Sequence, residues 1–432
     1  MPATAPALRG VHPRKAFPPP VPRPTLALWP DLATLENDDL AWALFFLCRR
    51  VQDVATAPRG SLKPWRRADD VRHAATGAPE IASELRVLAQ ELEPGLAKNR
   101  SLIAKACQGL ADWAAARARG ELAIQFSEAA MAVQPGSGRR AFEAAKMNRY
   151  FSDPSRAEVL YSRAICLARA KKRWWVYVRS HLGIGLIQKG WGNRDRAKAH
   201  ASTAASAAWK LSGERWLAGL TEHDLLVLTA EAGEFEAAFQ HAVRAFALMP
   251  VHNERVPALV HDYCLLLVQM GFHSLALPLL ESVCQVQMLP AHKVIVWGTL
   301  ARAAGGLRYA ERFRDAERHV QELAPLFDLH AAAAYANLAT GAYALGYVSD
   351  AEHYALQSIG IATARAQAEA LILAEPVLRS IRRGDKAGLP HESKAPTEII
   401  DLAQSLAARL AAWRGPTWKH KRGSGADRLG RV

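Results

Sequence analysis

Between residues 232 and 250 the chain reads Ala-Gly-Glu-Phe-Glu-Ala-Ala-Phe-Gln-His-Ala-Val-Arg-Ala-Phe-Ala-Leu-Met-Pro. Ala238, Ala242, Ala245 and Met249 recur at steps of four, three and four, so they share one face of a helix. Phe235, Phe239, Ala242 and Phe246 follow the same steps and make a second, bulkier face, which leaves Glu236, Gln240 and Arg244 for water. Gly233 predicts a turn before this helix and Pro250 predicts its stop. A helix with two adjoining apolar faces needs neighbours on both sides, which is the property of a unit in a stack.

The same skeleton returns along the chain. Ala123, Ala130 and Pro135 form one copy, and Ala157, Tyr161 and Ala164 follow it with both alanines displaced by 34 residues. Gly190, Ala197, Ala201 and Ala204 stand 40 further on, and Ala238 and Ala245 another 41. Gly271, Ala276 and Leu280 continue at 38, Ala316, Val320 and Leu323 at 40, and Gly346, Ala351 and Ala355 at 35. The preceding helix starts repeat as well, since Trp174 and Trp216 lie 42 apart. Small residues on one helix let its neighbours approach closely, and larger partners fill the grooves that remain. Gly183 and Gly185 inside a helical pattern cost about 1 kcal/mol each relative to Ala, so they predict close backbone approach. Seven copies in register predict an all-α solenoid of helical hairpins.

This pattern resembles the tetratricopeptide repeat family: Gly, Ala, an aromatic, Ala and Pro on the second helix of each hairpin. Leu182-Gly183 with Gly190 and Ala197 carries the likeness, as do Gly233, Ala238, Ala245 and Pro250. The steps near 40 are similar to the extended-helix variant of bacterial signal-transduction regulators and kinesin light chains. Val283 and Leu323 depart from the pattern by replacing the second small residue, and few copies keep the closing Pro. The resemblance implies a right-handed superhelix of about seven hairpins over residues 102–365. It also implies a scaffold or regulatory adaptor that holds a peptide or protein in its groove.

The flanks read differently. Residues 1–24 are Pro-rich and basic and cannot supply a core. Residues 25–101 read as an N-terminal helical cap. Its first helical region runs over 26–54, with Asp31 or Thr34 as its cap and Leu40, Leu44, Leu47 and Val51 as its stripe. A broken loop over 56–70 follows, then a helix over about 79–92. Residues 366–413 read as C-terminal capping helices. The first is interrupted near Pro376, a linker spans 384–396, and a last helix is capped by Thr397 with Ile399, Leu402, Leu406 and Leu410 inward. That last helix is expected to close the open end of the stack. The basic stretch 414–432 reads as disordered.

Composition narrows the function classes. No apolar run approaches a membrane span, and no secretory signal is visible, so a cytoplasmic protein is expected. Five scattered cysteines (Cys48, Cys107, Cys166, Cys264 and Cys284) among apolar neighbours read as reduced buried thiols. The formal net charge of +14 is concentrated: residues 156–210 hold twelve Lys and Arg against Glu158 and Asp195 alone. Within that belt stand Trp174, Trp175, Tyr177, Trp191 and Trp209. Cations beside aromatics can bind phosphates while the rings stack bases, and the same ingredients suit an acidic peptide or protein face. They equally suit an ordinary solvated face with Trp174 and Trp175 half in the core. The residues picked out for partner contact are Arg169, Lys171, Lys172, Arg173, Trp174, Trp175, Arg179, Lys189 and Trp191.

No phosphate loop, nucleophile elbow or His-Glu-x-x-His motif occurs, so the sequence reads as non-catalytic, with no cofactor. Gly305-Gly306 reads as a lone pair at a turn. His261-Asp-Tyr-Cys264, with His241, His252, His273, Cys284 and His292 near in sequence, lacks the paired spacing of a zinc site and reads as surface histidines and buried cysteines. The expected partner is thus a protein or peptide, acidic in character, with nucleic acid as the alternative and a small sensed peptide as a third class.

Overall fold

The computed structural model describes residues 29–413 apart from 34, 36, 57–64, 66, 94–98, 152–153, 287, 289 and 386–393. The expectations for the two tails, for Thr34 as a cap and for most of the linker fall outside these residues. The described residues form twenty α-helices, and no strand occurs among them. The N-terminal region supplies α1 (Trp29–Ala33), α2 (Asp38–Thr56), α3 (Ala68–Gly77) and α4 (Ala82–Glu91). Seven hairpins follow: α5 (Arg100–Ala115) with α6 (Gly120–Val133), α7 (Gly138–Phe151) with α8 (Pro154–Ala170), and α9 (Trp174–Gly190) with α10 (Arg194–Ala207). Then come α11 (Arg215–Glu231) with α12 (Phe235–Leu248), α13 (Val256–Gln269) with α14 (His273–Gln285), α15 (Pro290–Gly306) with α16 (Ala310–Leu323), and α17 (Asp328–Leu345) with α18 (Val348–Ala364). The described residues end with α19 (Ala368–Arg383) and α20 (Thr397–Ala412). From α1 to α19 each helix packs on the next in sequence, which makes the fold an all-α solenoid.

One turn geometry builds the repeat. Ala118, Gly192, Gly233, Gly271, Arg308 and Gly346, each between the two helices of a hairpin, all have positive φ. In each case the next residue donates its N–H five residues back, as Asn193 does to the Gln188 carbonyl and Tyr309 to that of Ala304. This bond closes the last open turn of the first helix and reverses the chain. The turn residue of the third hairpin is therefore Gly192, and Gly190 is the last residue of α9.

Small residues set the packing distances. Ala238, Ala242 and Ala245 on α12 are buried, and the Phe235, Phe239 and Phe246 face is half-buried, as the periodicity predicts. A Cβ on Gly183 would come within 2.4 Å of the buried Tyr161 ring, so α8 and α9 need glycine there, whereas Gly185 has ordinary room. Gly305 and Gly306 are not in a turn; they end α15. A Cβ on Gly305 would meet the Gly341 Cα at 2.4 Å, so α15 and α17 touch backbone to backbone. Between α6, α7 and α8 the buried Glu128 accepts hydrogen bonds from Arg156 (2.8 and 2.6 Å) and Asn148 (2.9 Å).

The flanks depart from expectation in four places. The 26–54 region is two helices: Asn37 caps α2 by accepting from the Leu40 N–H, while Asp31 accepts from Leu122 and so caps α6 across the fold. The loop expected to reach residue 70 gives way to α3 at Ala68. Helix α19 runs through Pro376, which is exposed, so water can take the carbonyl that loses its partner. Finally, α20 does not serve as an end cap. It lies across α12, α13 and α14 in the middle of the array, where Tyr263 donates to the Ile399 carbonyl (2.8 Å) and the Arg409 guanidinium stacks on Phe246. Arg409 thereby covers Phe246 on the second apolar face of α12.

Candidate functional site

The first helices of the hairpins stack on one another in the order α7, α9, α11, α13, α15, α17, with α19 continuing the row. The row also bends round until α7 meets α17 and α9 meets α19. Its concave face is therefore an enclosed interior. Every one of these seven helices contributes a polar or ionisable side chain, and the turn before α13 adds Glu254 and Arg255.

At one end of this interior stand Lys146, Arg149 and Tyr150 from α7, Arg179 from α9, and Arg255. Arg179 pairs with Glu254 at 3.2 Å, Arg255 with Asp224 at 3.6 Å and Lys146 with Glu143 at 3.6 Å. The Arg149 guanidinium lies 4.5 Å from the Tyr150 ring centre. Burial resists ionisation of Tyr150, but Arg149, Lys146, Arg255 and Arg179 together outweigh it and hold the phenol below its usual range. At the other end, Lys189 of α9 bridges Glu231 of α11 and Glu369 of α19, each at 2.7 Å. Burial, helped by Glu369, pushes the Glu231 carboxyl up to about 7 against the pull of Lys189. Two acids share one cation there.

A chain of rings leads inward from the first end. Tyr150 contacts His292 of α15 (ring centres 5.7 Å apart), and His292 contacts His330 of α17 at 5.8 Å. Burial drives both imidazoles down to about 3, so they are neutral at physiological pH. Beside them Asp262 of α13 takes a 2.7 Å bond from His223 and a 2.8 Å bond from His261, whose other nitrogen meets Thr299 at 3.0 Å. Burial acts to raise the Asp262 carboxyl, but these two bonds outweigh it and hold it far below its normal value. The interior is not a dry core: Lys146, Arg255 and Asp262 keep 27 %, 28 % and 22 % of their side-chain surface accessible. Arg149 Nε, Asp224 Oδ2 and His330 Nε2 have no hydrogen-bond partner among the described residues.

The nine residues picked out from sequence divide among three places. Arg179 and Lys189 belong to the interior just described. Arg169, in the last turn of α8, and Lys171, Lys172 and Arg173, between α8 and α9, lie exposed; Lys172 has positive φ and Lys171 donates to the Gly136 carbonyl at 2.7 Å. Trp174, Trp175 and Trp191 are half-buried: Trp174 meets Tyr177 at 5.8 Å and Trp175 meets Phe142 at 6.1 Å, both edge to face, while Trp191 packs on the core of α7–α9. The structure thus does not gather them into one surface. Arg156 and Arg163 of the belt are internal fasteners, the latter donating to the Pro135 carbonyl at 2.7 Å. Trp209 is exposed on a π-helical turn over Ala208–Ser212.

The histidines also correct the sequence reading. His261 and His273 are buried rather than on the surface, and no sequence motif marks His223, His292 and His330 as a group. Their signal was present as single ionisable residues on otherwise apolar first helices, repeated from hairpin to hairpin. Four cysteines are buried and Cys166 half-buried, all unpaired; burial pushes the Cys48 thiol up to about 12. Among the described residues no helix is long and apolar enough to cross a membrane. Compared with protein-family models and with curated proteins, the sequence matches none.

Proposed function

We propose that this chain is a non-catalytic binding protein that holds a peptide segment of its partner against the inner face of the solenoid. The observation that carries this reading is the lining itself. Seven successive helices turn charged, histidine and tyrosine side chains into an enclosed, water-accessible interior, where a merely structural stack would place apolar groups. Buried charges cost free energy unless they are paired, so a lining that is paired yet still wet suits a polar occupant that completes it. The likeness to tetratricopeptide repeats supports the same conclusion and adds a regulatory, adaptor-type role in the cytoplasm.

Retention of a mixed-sequence peptide pool on the immobilised chain tests it. The double variant Lys146→Met, Arg149→Gln should lose retention by at least about tenfold, as expected for a charged group in a binding centre. Equal retention by the variant and the parent chain overturns the reading. A second reading, nucleic acid on the outer turn, rests on the exposed Arg169, Lys172 and Arg173. It requires binding of single-stranded DNA that falls steeply with salt and disappears on reversing Lys171, Lys172 and Arg173.

A further inference from the structure

The turns that lead from one hairpin to the next lie along one edge of the array, and three successive ones share a distinct surface. They are residues 134–137 before α7, 171–173 before α9, and the π-helical turn Ala208–Ser212 before α11. The first two touch: Lys171 donates to the Gly136 carbonyl at 2.7 Å, and the Arg139 guanidinium lies 5.9 Å from the Trp175 ring centre. The third joins them because α9 and α10 form a hairpin, which sets the end of α10 beside the start of α9, and the π-helical turn packs on α9. Arg139, Arg169, Lys171, Lys172, Arg173 and Lys210 are exposed on or beside these turns. The acid at the third turn, Glu214, stands next to Arg215 and accepts from the Trp216 indole at 2.5 Å.

Two apolar side chains stand among these charges. Trp209 and Leu211 are 53 % and 50 % exposed, on either side of Lys210. The Ser212 hydroxyl donates to the Ala208 carbonyl at 2.7 Å and Gly213 takes a positive φ, so local bonds and backbone geometry shape the turn that presents them. Keeping an indole and an isobutyl group in water costs free energy, which an apolar layer within reach recovers. Nucleic acid uses the cations and the indole, but an aliphatic Leu211 gives a base no ring to stack on. A bilayer uses all three kinds of group. Lipid phosphates take the cations, the indole sits at headgroup level, and the aliphatic chain enters the acyl boundary.

We infer that this edge is a docking surface for an anionic lipid bilayer, with Trp209 and Leu211 entering the headgroup layer and the cations of the three turns lying over lipid phosphates. It is independent of the peptide-binding reading, which concerns the interior. Such a contact lies on the membrane and needs no spanning helix, which the described residues lack.

The test is co-flotation of the full chain with vesicles of phosphatidylcholine alone and with vesicles containing about one third phosphatidylserine. Binding to the anionic vesicles that is absent from the neutral ones and weakens as salt rises supports the assignment. Trp209→Ser with Leu211→Ser should then lose at least about tenfold in vesicle affinity. Lys210→Met alone should lose roughly fivefold. At saturating lipid, brominated acyl chains should quench tryptophan emission in the parent chain and spare it in the Trp209→Ser chain. Equal binding to neutral vesicles, or none to anionic ones, overturns the assignment. So does full vesicle affinity in the Trp209→Ser, Leu211→Ser chain, which leaves charge attraction alone. Tighter binding to single-stranded DNA than to anionic vesicles, weakened by the same double change, also overturns it and makes the edge a nucleic-acid surface. Both side chains are exposed, so circular dichroism of the double variant should match the parent.

Discussion

Arg173 and Arg179 are six residues apart, and both belong to the same basic stretch, yet they do different work. Arg173 sits on the exposed turn before α9, free in solvent beside Lys171 and Lys172. Arg179, nearly two turns into α9, faces the interior and pairs with Glu254; Lys189, three turns further on, pairs with two more acids. The rim charges cost little to keep and are screened by salt. The inner charges are held in place by partners from other hairpins, so each is a clamp between repeats as well as a binding group. Position along the helix axis, not charge density in the sequence, separates the two roles.

The sharpest way to break this contrast is to move the inner wall. Gly305→Leu forces α15 away from Gly341 and should destabilise by about 3 kcal/mol or more, read from the midpoint of urea unfolding. An unchanged midpoint means that backbone contact between first helices does not set the inner radius. Lys189→Met should cost about 2 kcal/mol: a fully buried broken pair costs more, but Glu369 keeps 37 % of its side-chain surface in water. Lys172→Met on the rim should stay within about 0.5 kcal/mol. Equal losses would erase the distinction between rim and interior.

Proton linkage gives the next effect. The Glu231 carboxyl in the folded chain titrates near 7, above its unfolded value near 4.5, so the folded state binds the extra proton. Stability contributed this way is present at low pH and is lost as pH rises from about 5 to 7. Glu231→Gln removes the loss, so the variant should gain on the parent chain across that window and converge with it below. The Glu369 carboxyl, whose burial penalty is outweighed by Lys189, is shifted the other way and acts below the window. Parallel stability curves would show that the two acids do not share Lys189 in solution. Reversing the rim charges, Lys171→Glu, Lys172→Glu and Arg173→Glu together, has a small effect on stability. The fold should lose no more than about 1 kcal/mol, chiefly the Lys171 bond to the Gly136 carbonyl, while any salt-dependent binding to DNA vanishes.

The architecture was legible because it rests on local rules. Ala238, Ala242 and Ala245 announced their buried face, and Gly233, Gly271 and Gly346 their turns, since glycine relieves the left-handed backbone that each turn requires. Ala118 and Arg308 occupy the same backbone conformation without being glycine, and no sequence pattern marked them. Gly305 looked like a turn because its reason lies 36 residues away, in Gly341. The site was harder to see for the same reason. Tyr150, His292 and His330 come from hairpins far apart in sequence, and only the bending of the array brings them together. Local charge density pointed to the belt, but enclosure is a property of the whole curve.

The placement of α20 has a bearing on how the chain is made. Its contacts reach back 136 to 163 residues, from Ile399 to Tyr263, from Arg409 to Phe246 and from Trp413 to Asn253. A repeat array emerging from a ribosome can fold hairpin by hairpin, each new pair settling on the last. Here the central pairs α11–α12 and α13–α14 are finished early but lack the contacts of α20 until that helix is synthesised. A nascent or truncated chain ending before Thr397 therefore leaves Phe246 of α12 without its Arg409 cover, and α20 is the helix that removes that adhesive surface.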